Sequence, residues 1–189
     1  MITRDEAFEI VNSNIANKGL VKHCIAVEGA MEQLAVHFGE DPEAWGMAGL
    51  LHDADWEKTA EDVVQHTKKT VEWIEAAGDV DPTIKEAILA HNFMNDPDQR
   101  EPEGKMEWSL SCCDELTGLI TASCLVLPDK KLDSLKISSI LKRFKTPTFA
   151  AAVNRDDISR CEEKLGIPLE QFVEIVLTGM KRKKDLIGL

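Results

Sequence analysis

The chain has 189 residues, 43% hydrophobic and 30% charged, ordinary globular values that exclude wholesale disorder and suit one well-buried domain rather than two. Mean hydropathy is −0.21 and no uninterrupted apolar run has the length of a membrane span, so no membrane partner is expected. Residues 1–126 carry 9 Lys and Arg against 25 Asp and Glu, and residues 127–189 carry 13 against 9; the acidic body disfavours nucleic acid as a partner and suits a site that collects cations.

The opening residues, MITRDEAFEIVNSN, are charged from Arg4 onward and lack the apolar stretch of a secretory signal. Together with an odd number of cysteines, five, this leads us to expect reduced thiols and a cytoplasmic location. Thr3 and Glu6 make a capping-box pattern for a first helix over about residues 4–16. Leu20, Cys24, Val27, Met31, Leu34 and Phe38 recur at helical spacing and predict a second helix, ended by Gly39. Asp41-Pro42 caps and opens a third that carries Trp45 to Ala54. Thr59 and Asp62 open a fourth that runs to about Ala77 before Gly78, and Asp81-Pro82 opens a fifth that ends near Asn92. The polar segment 95–105 is the clearest loop. Met106 to Leu127 predicts a long apolar helix stopped by Pro128. The remainder predicts a short helix around 136–144 and two more, from about 156 to 165 and from about 168 to 184. Sustained alternation with a period of two is absent. The expected fold is all-α: one domain over 1–189, with a core of about 18–127 and a basic helical extension over 128–189.

His23, His52, His66 and His91 fall on four different predicted helices or helix ends. His23 borders the apolar stripe through Val27, Ala30 and Leu34; His91 shares a face with Ile84, Ala87 and Ile88; His66 lies beside Val63 and Thr70. A single histidine on an apolar flank is ordinarily a hydrogen-bonded core residue. Four that point inward from separate segments suit convergence on a metal, because neutral imidazole is a strong ligand. Between Trp108 and Pro128 the only ionisable carboxylates or bases are Asp114 and Glu115. A carboxylate buried in such a helix is costly unless it is paired, neutralised or bound to a cation. Glu115, one step of about 100° round the helix, is expected on the solvent side or behind the ligands. His52-Asp53 ends the apolar run Met47-Ala48-Gly49-Leu50-Leu51. Only a carboxylate can bridge two cations, so Asp53 is the natural bridge if two bind.

The order His23 … His52-Asp53 … His66 … His91 … Asp114 resembles that of the HD superfamily of metal-dependent phosphohydrolases, an all-helical fold. Ala48-Gly49-Leu50-Leu51-His52-Asp53-Ala54-Asp55-Trp56-Glu57, Ala87-Ile88-Leu89-Ala90-His91-Asn92 and Asp114-Glu115-Leu116-Thr117-Gly118-Leu119-Ile120 are similar to blocks in a group of bacterial predicted HD hydrolases. So are Lys142-Arg143-Phe144-Lys145 and Phe149-Ala150-Ala151-Ala152-Val153-Asn154-Arg155, and the likeness covers nearly the whole chain. The resemblance implies a helical bundle with a metal site at its centre. His23, His52, Asp53 and Asp114 would hold one divalent ion; His66 and His91, with Asp53 bridging, would hold a second. It does not distinguish Mn, Fe, Mg, Ni or Zn. Ala54-Asp55 stands where Ile-Gly is common, and the Gly-Tyr-Pro signature of the cyclic-dinucleotide phosphodiesterases is absent, which argues against such a substrate.

The expected activity is hydrolysis of a small phosphorylated metabolite or nucleotide, as a phosphomonoesterase or phosphodiesterase, with a hydroxide held by the metal ions attacking phosphorus. Asp53 and Asp55 are the candidate catalytic residues; Asp55 would orient the water or protonate the leaving oxygen. Arg143, Lys145 and Arg155 are the candidates for binding the anionic substrate, guanidinium being suited to phosphate. Two alternatives stand beside this reading: an HD-fold mixed-valent di-iron oxygenase with the same ligand order, and a metal-binding module without turnover. Lys181-Arg182-Lys183-Lys184 is read as charge placed at a helix C-terminus. The cysteines are read as small buried thiols, Trp45, Trp73 and Trp108 as packing, His37 as a surface residue, and Trp56 as lining the pocket.

Overall fold

The computed structural model describes residues 2–189, and among these every regular element is helical. The α-helices are α1 (Arg4–Asn14), α2 (Lys18–Phe38), α3 (Pro42–Leu51), α4 (Trp56–Thr59), α5 (Lys68–Ala77), α6 (Pro82–His91), α7 (Lys105–Leu125), α8 (Ile137–Phe144), α9 (Arg155–Leu165), α10 (Leu169–Arg182) and α11 (Lys184–Ile187). Local chemistry sets many of the boundaries. The Thr3–Glu6 capping box is formed in both directions, Asp41 and Asp81 each accept a backbone N–H at the starts of α3 and α6, and Gly39 and Gly166 end α2 and α9 in the left-handed conformation.

One expected helix is interrupted. Over 59–77 the chain forms the short α4, a 3-10 turn at Val63–Gln65 and then α5, separated by Thr67 at a φ of +72°. A β-branched residue in that region is strained, and the surrounding contacts must hold it there.

α2 and α7, each of 21 residues, form the centre, with α3 and α10 packed on α2 and α9 on α7. Residues of the final third, among them Ile140, Ile158, Cys161, Phe172, Val173, Val176 and Met180, join the same buried apolar cluster as Val27, Leu50, Ile88 and Leu116. All five cysteines are free and buried. Two helix crossings are very close. A Cβ at Gly49 would stand 2.8 Å from the Val27 carbonyl oxygen, and one at Gly179 would stand 2.1 Å from that of Gly29. The Gly49 crossing brings the end of α3 against the middle of α2, four residues beyond His23.

Charged groups buried at this junction are paired. Glu28 on α2 takes both nitrogens of the Arg4 fork and lies 3.1 Å from Lys183 Nζ, which also contacts Glu32 at 2.7 Å. These pairs tie α1 and the end of α10 to the central helix. The Gly29–Gly179 approach leaves no room for a methyl group, so Gly179→Ala should destabilise the protein by about 1–3 kcal/mol. A thermal melt checks this: the midpoint should fall by about 2–4 °C per kcal/mol.

Candidate metal centre

α3 stops at Leu51, and residues 52–55 leave it in successive turns, with Ala54 N–H bonded to Leu51 O and Trp56 N–H to Asp53 O. The helix ending lets His52 and Asp53, which would diverge on a continued helix, face one point. His52 donates Nδ1–H to Gly49 O at 2.8 Å. Its Nε2 therefore points inward, and that atom is buried with no hydrogen-bond partner.

Two carboxylates join the four imidazoles. His23 Nε2 is 2.8 Å from Asp114 Oδ1 and 3.8 Å from Asp53 Oδ2. His52 Nε2 is 3.5 and 3.6 Å from the same two oxygens. Asp53 Oδ1 faces the other way, 3.3 Å from His66 Nε2 and 3.8 Å from His91 Nε2, and His91 Nε2 is also 3.8 Å from Asp114 Oδ2. His23, His52 and Asp114 present donor atoms all within 4.8 Å of one another, as do His52, Asp53 and His91. Separations of this size are the edges of a coordination polyhedron with bonds of about 2.0–2.2 Å. The orphaned His52 Nε2, aimed at two carboxylates in a dry setting, fits a cation.

The outward Nδ1 of His66 is held as well, whereas that of His91 is buried without a hydrogen-bond partner. His66 Nδ1 pairs with Asp55 Oδ1 at 2.7 Å, and Asp55 Oδ2 accepts the Thr70 N–H at 3.1 Å. Asn92 Nδ2 donates to Val63 O at 2.7 Å and to His66 O at 3.2 Å. These bonds hold the 3-10 turn and the strained Thr67 that deliver His66 to the cluster. Thr117 Oγ1 bonds to Asp114 O at 2.8 Å and lies 3.4 Å from His23 Nδ1.

The cluster opens into a cleft of about 360 Å³. Trp56 and Phe93 line it beside His23, Asp53, His66, His91 and Asp114, and Trp56 meets the His66 ring edge-on at 5.0 Å. Ser111, Glu115, Gly118 and Asp157 also line it. The sequence puts Glu115 on the solvent side or behind the ligands and gives no signal for Asp157. Ser111, Asp114, Glu115 and Gly118 share one face of α7 by their three- and four-residue spacing, which was the available signal.

Two expectations are corrected. Asp55 is fully buried, is absent from the cleft wall and spends both oxygens on His66 and Thr70, so it positions His66 and does not reach a water or leaving group. Arg143, Lys145 and Arg155 do not line the cleft either. Arg155 donates to the carbonyls of Phe144, Thr146, Phe149, Ala150 and Val153, which pins the loop before α9, and Arg143 lies over the Phe149 ring at 5.4 Å. A guanidinium satisfied by five carbonyls is not free for phosphate.

The HD domain family model matches residues 20–117, a span that includes His23, His52-Asp53, His66, His91 and Asp114. The chain belongs to the HD superfamily of metal-dependent phosphohydrolases. No curated protein and no solved structure matches it. The all-helical fold expected of an HD domain is the fold observed, and the superfamily's reliance on divalent metal agrees with the His/Asp clusters at its centre.

Burial opposes charge on His52, but Asp53 and Asp114 outweigh it and lift its pKa to about 9; for His66 burial is likewise outweighed, by Asp53 and Asp55, to about 9. Burial dominates at His91 and depresses it to about 4. Burial also works against ionisation of Asp53 and Asp114, yet the imidazoles beside them hold both below the usual carboxylate range. Burial raises Glu115, the charge of Asp114 adding to it, and burial raises Asp157 against the pull of Arg160.

In the HD domain without metal, protons on His52 and His66 stand in for the cations. Their stabilising effect is full below an unfolded pKa of about 6.5 and is lost as pH rises through about 9. His91 acts in the opposite sense: its contribution is present above about 6.5 and is lost as pH falls toward about 4. Metal-free protein should therefore melt highest near pH 6.5 and progressively lower toward pH 9, and Mn²⁺ should lift the alkaline limb most, as a scanning-fluorimetry series in pH will read. Asp55→Ala removes the acceptor that orients His66 and should weaken metal binding about 10–100-fold, measured by metal titration.

Proposed function

We propose that the protein is a metal-dependent phosphohydrolase acting on a small phosphorylated substrate. His23, His52, Asp53 and Asp114 hold one divalent ion in this reading, and His66, His91 and Asp53 hold a second. The observation that carries it is the division of the Asp53 carboxylate, with Oδ2 toward His23 and His52 and Oδ1 toward His66 and His91. One carboxylate between two pairs of imidazoles is the arrangement a binuclear centre needs. Divalent ions bound there supply charge stabilisation at phosphoryl oxygens and bring the pKa of a water toward neutrality.

The chain's own residues do the rest. Asp53 and Asp114 offset the ion charge and fix the separation of the two positions. Asp55 and Asn92 lock His66, and Trp56 and Phe93 close the sides of the cleft against bulk water. A cleft of about 360 Å³ suits a small molecule rather than a nucleic-acid strand. Nothing in the donor set requires a particular metal, since imidazole and carboxylate serve Mn, Fe and Zn alike.

The test starts with protein purified without chelator. Elemental analysis should find up to two divalent ions per chain, and Mn²⁺ should support phosphate release from 4-nitrophenyl phosphate. His52→Ala should lose metal and lower kcat/KM at least about a hundredfold. Two irons, no phosphate release and substrate-dependent O₂ uptake would replace hydrolysis by oxygenase chemistry. Undiminished phosphatase activity in a metal-free His52→Ala protein would remove the site assignment.

A further inference from the structure

The cleft wall carries no lysine and no arginine. Beyond the metal-ligating carboxylates it carries two more, Glu115 on α7 and Asp157 on the first turn of α9. Three buried acids elsewhere are matched to strong cations: Glu28 to Arg4 and Lys183, Asp96 to Lys68 at 2.6 Å, Glu107 to both terminal nitrogens of Arg100 at 2.6 and 2.7 Å. Glu115 has only the Asn154 backbone N–H, at 2.9 Å, on one of its oxygens. Asp157 has Arg160 at 3.3 Å and the Asn154 side chain, but its Oδ1 is buried without a hydrogen bond. Arg160 is itself turned over the Phe93 and Trp108 rings. His23, Asp53, His66, His91 and Asp114 line the same cleft, so Glu115 and Asp157 stand on the wall of the ligand site described above and are not an incidental group of surface acids. Arg155, a candidate for greeting a second anionic group, is committed to five carbonyls.

Resting on the hydrolase reading above, we propose that the cleft selects a substrate with one anionic reacting group and a positively charged remainder, an amine-bearing ester, and rejects substrates that carry a second phosphate or a carboxylate. The metal ions then are the main cationic partners of the phosphoryl group, and Glu115, with Asp157, receives the ammonium. Charge is the discriminating quantity because the wall is half-buried, where a carboxylate acts on a neighbouring charge more strongly than in water.

The experiment uses Mn²⁺-loaded protein and three aryl phosphates that differ only at a methylene-insulated para position: 4-(aminomethyl)-, 4-(hydroxymethyl)- and 4-(carboxymethyl)phenyl phosphate. Expected kcat/KM falls in that order, by about tenfold per unit of charge. Glu115→Gln keeps an acceptor for Asn154 and removes only the charge, so it should shrink the aminomethyl-to-hydroxymethyl ratio severalfold while its melting temperature and metal content stay near wild type. Equal rates, a preference for the carboxymethyl ester or an unchanged ratio in Glu115→Gln would overturn the proposal. If no ester releases phosphate, the hydrolase reading fails, and the matching phenylphosphonates then test the charge preference by thermal shift. Tighter binding of the aminomethyl compound upholds the preference; equal binding, or none, overturns it.

Discussion

Everything at the centre of this molecule depends on how two buried carboxylates are neutralised. Asp53 and Asp114 lie among four imidazoles in a setting where burial opposes every charge, and yet both are held ionised. Only positive charge at the shared point can maintain that. Protons on His52 and His66 supply it in the metal-free protein, and a divalent cation held by the same side chains would supply it in their place. Binding such a cation would then release protons.

The placing of these side chains is produced by features away from them. Gly49 lets α3 approach the Val27 carbonyl, which brings His52 up to the helix that carries His23, and the Gly49 carbonyl then fixes the ring of His52. Asp55 and Asn92 grip the 3-10 turn from two directions and hold Thr67 in a conformation it would not adopt alone. The strain lies at Thr67, beside His66, the ligand that follows the 3-10 turn. A rigid central pair, α2 and α7, carries His23 and Asp114, and the turn-borne side is clamped onto it.

Much of this was legible in the sequence because its signals are local. The Asp41-Pro42 and Asp81-Pro82 starts, the Thr3–Glu6 box and the breaks at Gly39 and Gly78 depend on neighbours a few residues away. The convergence of His23, His52, Asp53, His66, His91 and Asp114 was legible as a count of polar groups on apolar faces that had no other use. The break between α4 and α5 was not, because Asp55 and Asn92 act there from a distance in sequence, and propensity alone favoured one continuous helix over 59–77. Nor did composition distinguish an arginine that meets a phosphate from one that gathers loop carbonyls, as Arg155 does. Helical spacing puts Ser111, Asp114, Glu115 and Gly118 on one face of α7, a signal the sequence reading did not use, and that Asp157 faces them required the packing of α9 on α7.

The uneven charge along the chain has a spatial explanation of the same kind. A basic final third after an acidic body suggests an anion-binding lobe, but several of its cations pair with the protein's own acids. Lys183 bridges Glu28 and Glu32, Lys184 reaches Asp133, and Lys164 reaches Glu101. Exposed pairs of this sort contribute little to stability individually; the partly buried Lys183 bridge matters more, since removing it would leave Glu28 relying on Arg4 alone. With those cations spent on the scaffold, the cleft keeps a surplus of carboxylates. Under the proposed function, affinity for a phosphoryl group would therefore depend on the cations that the imidazole and carboxylate groups hold.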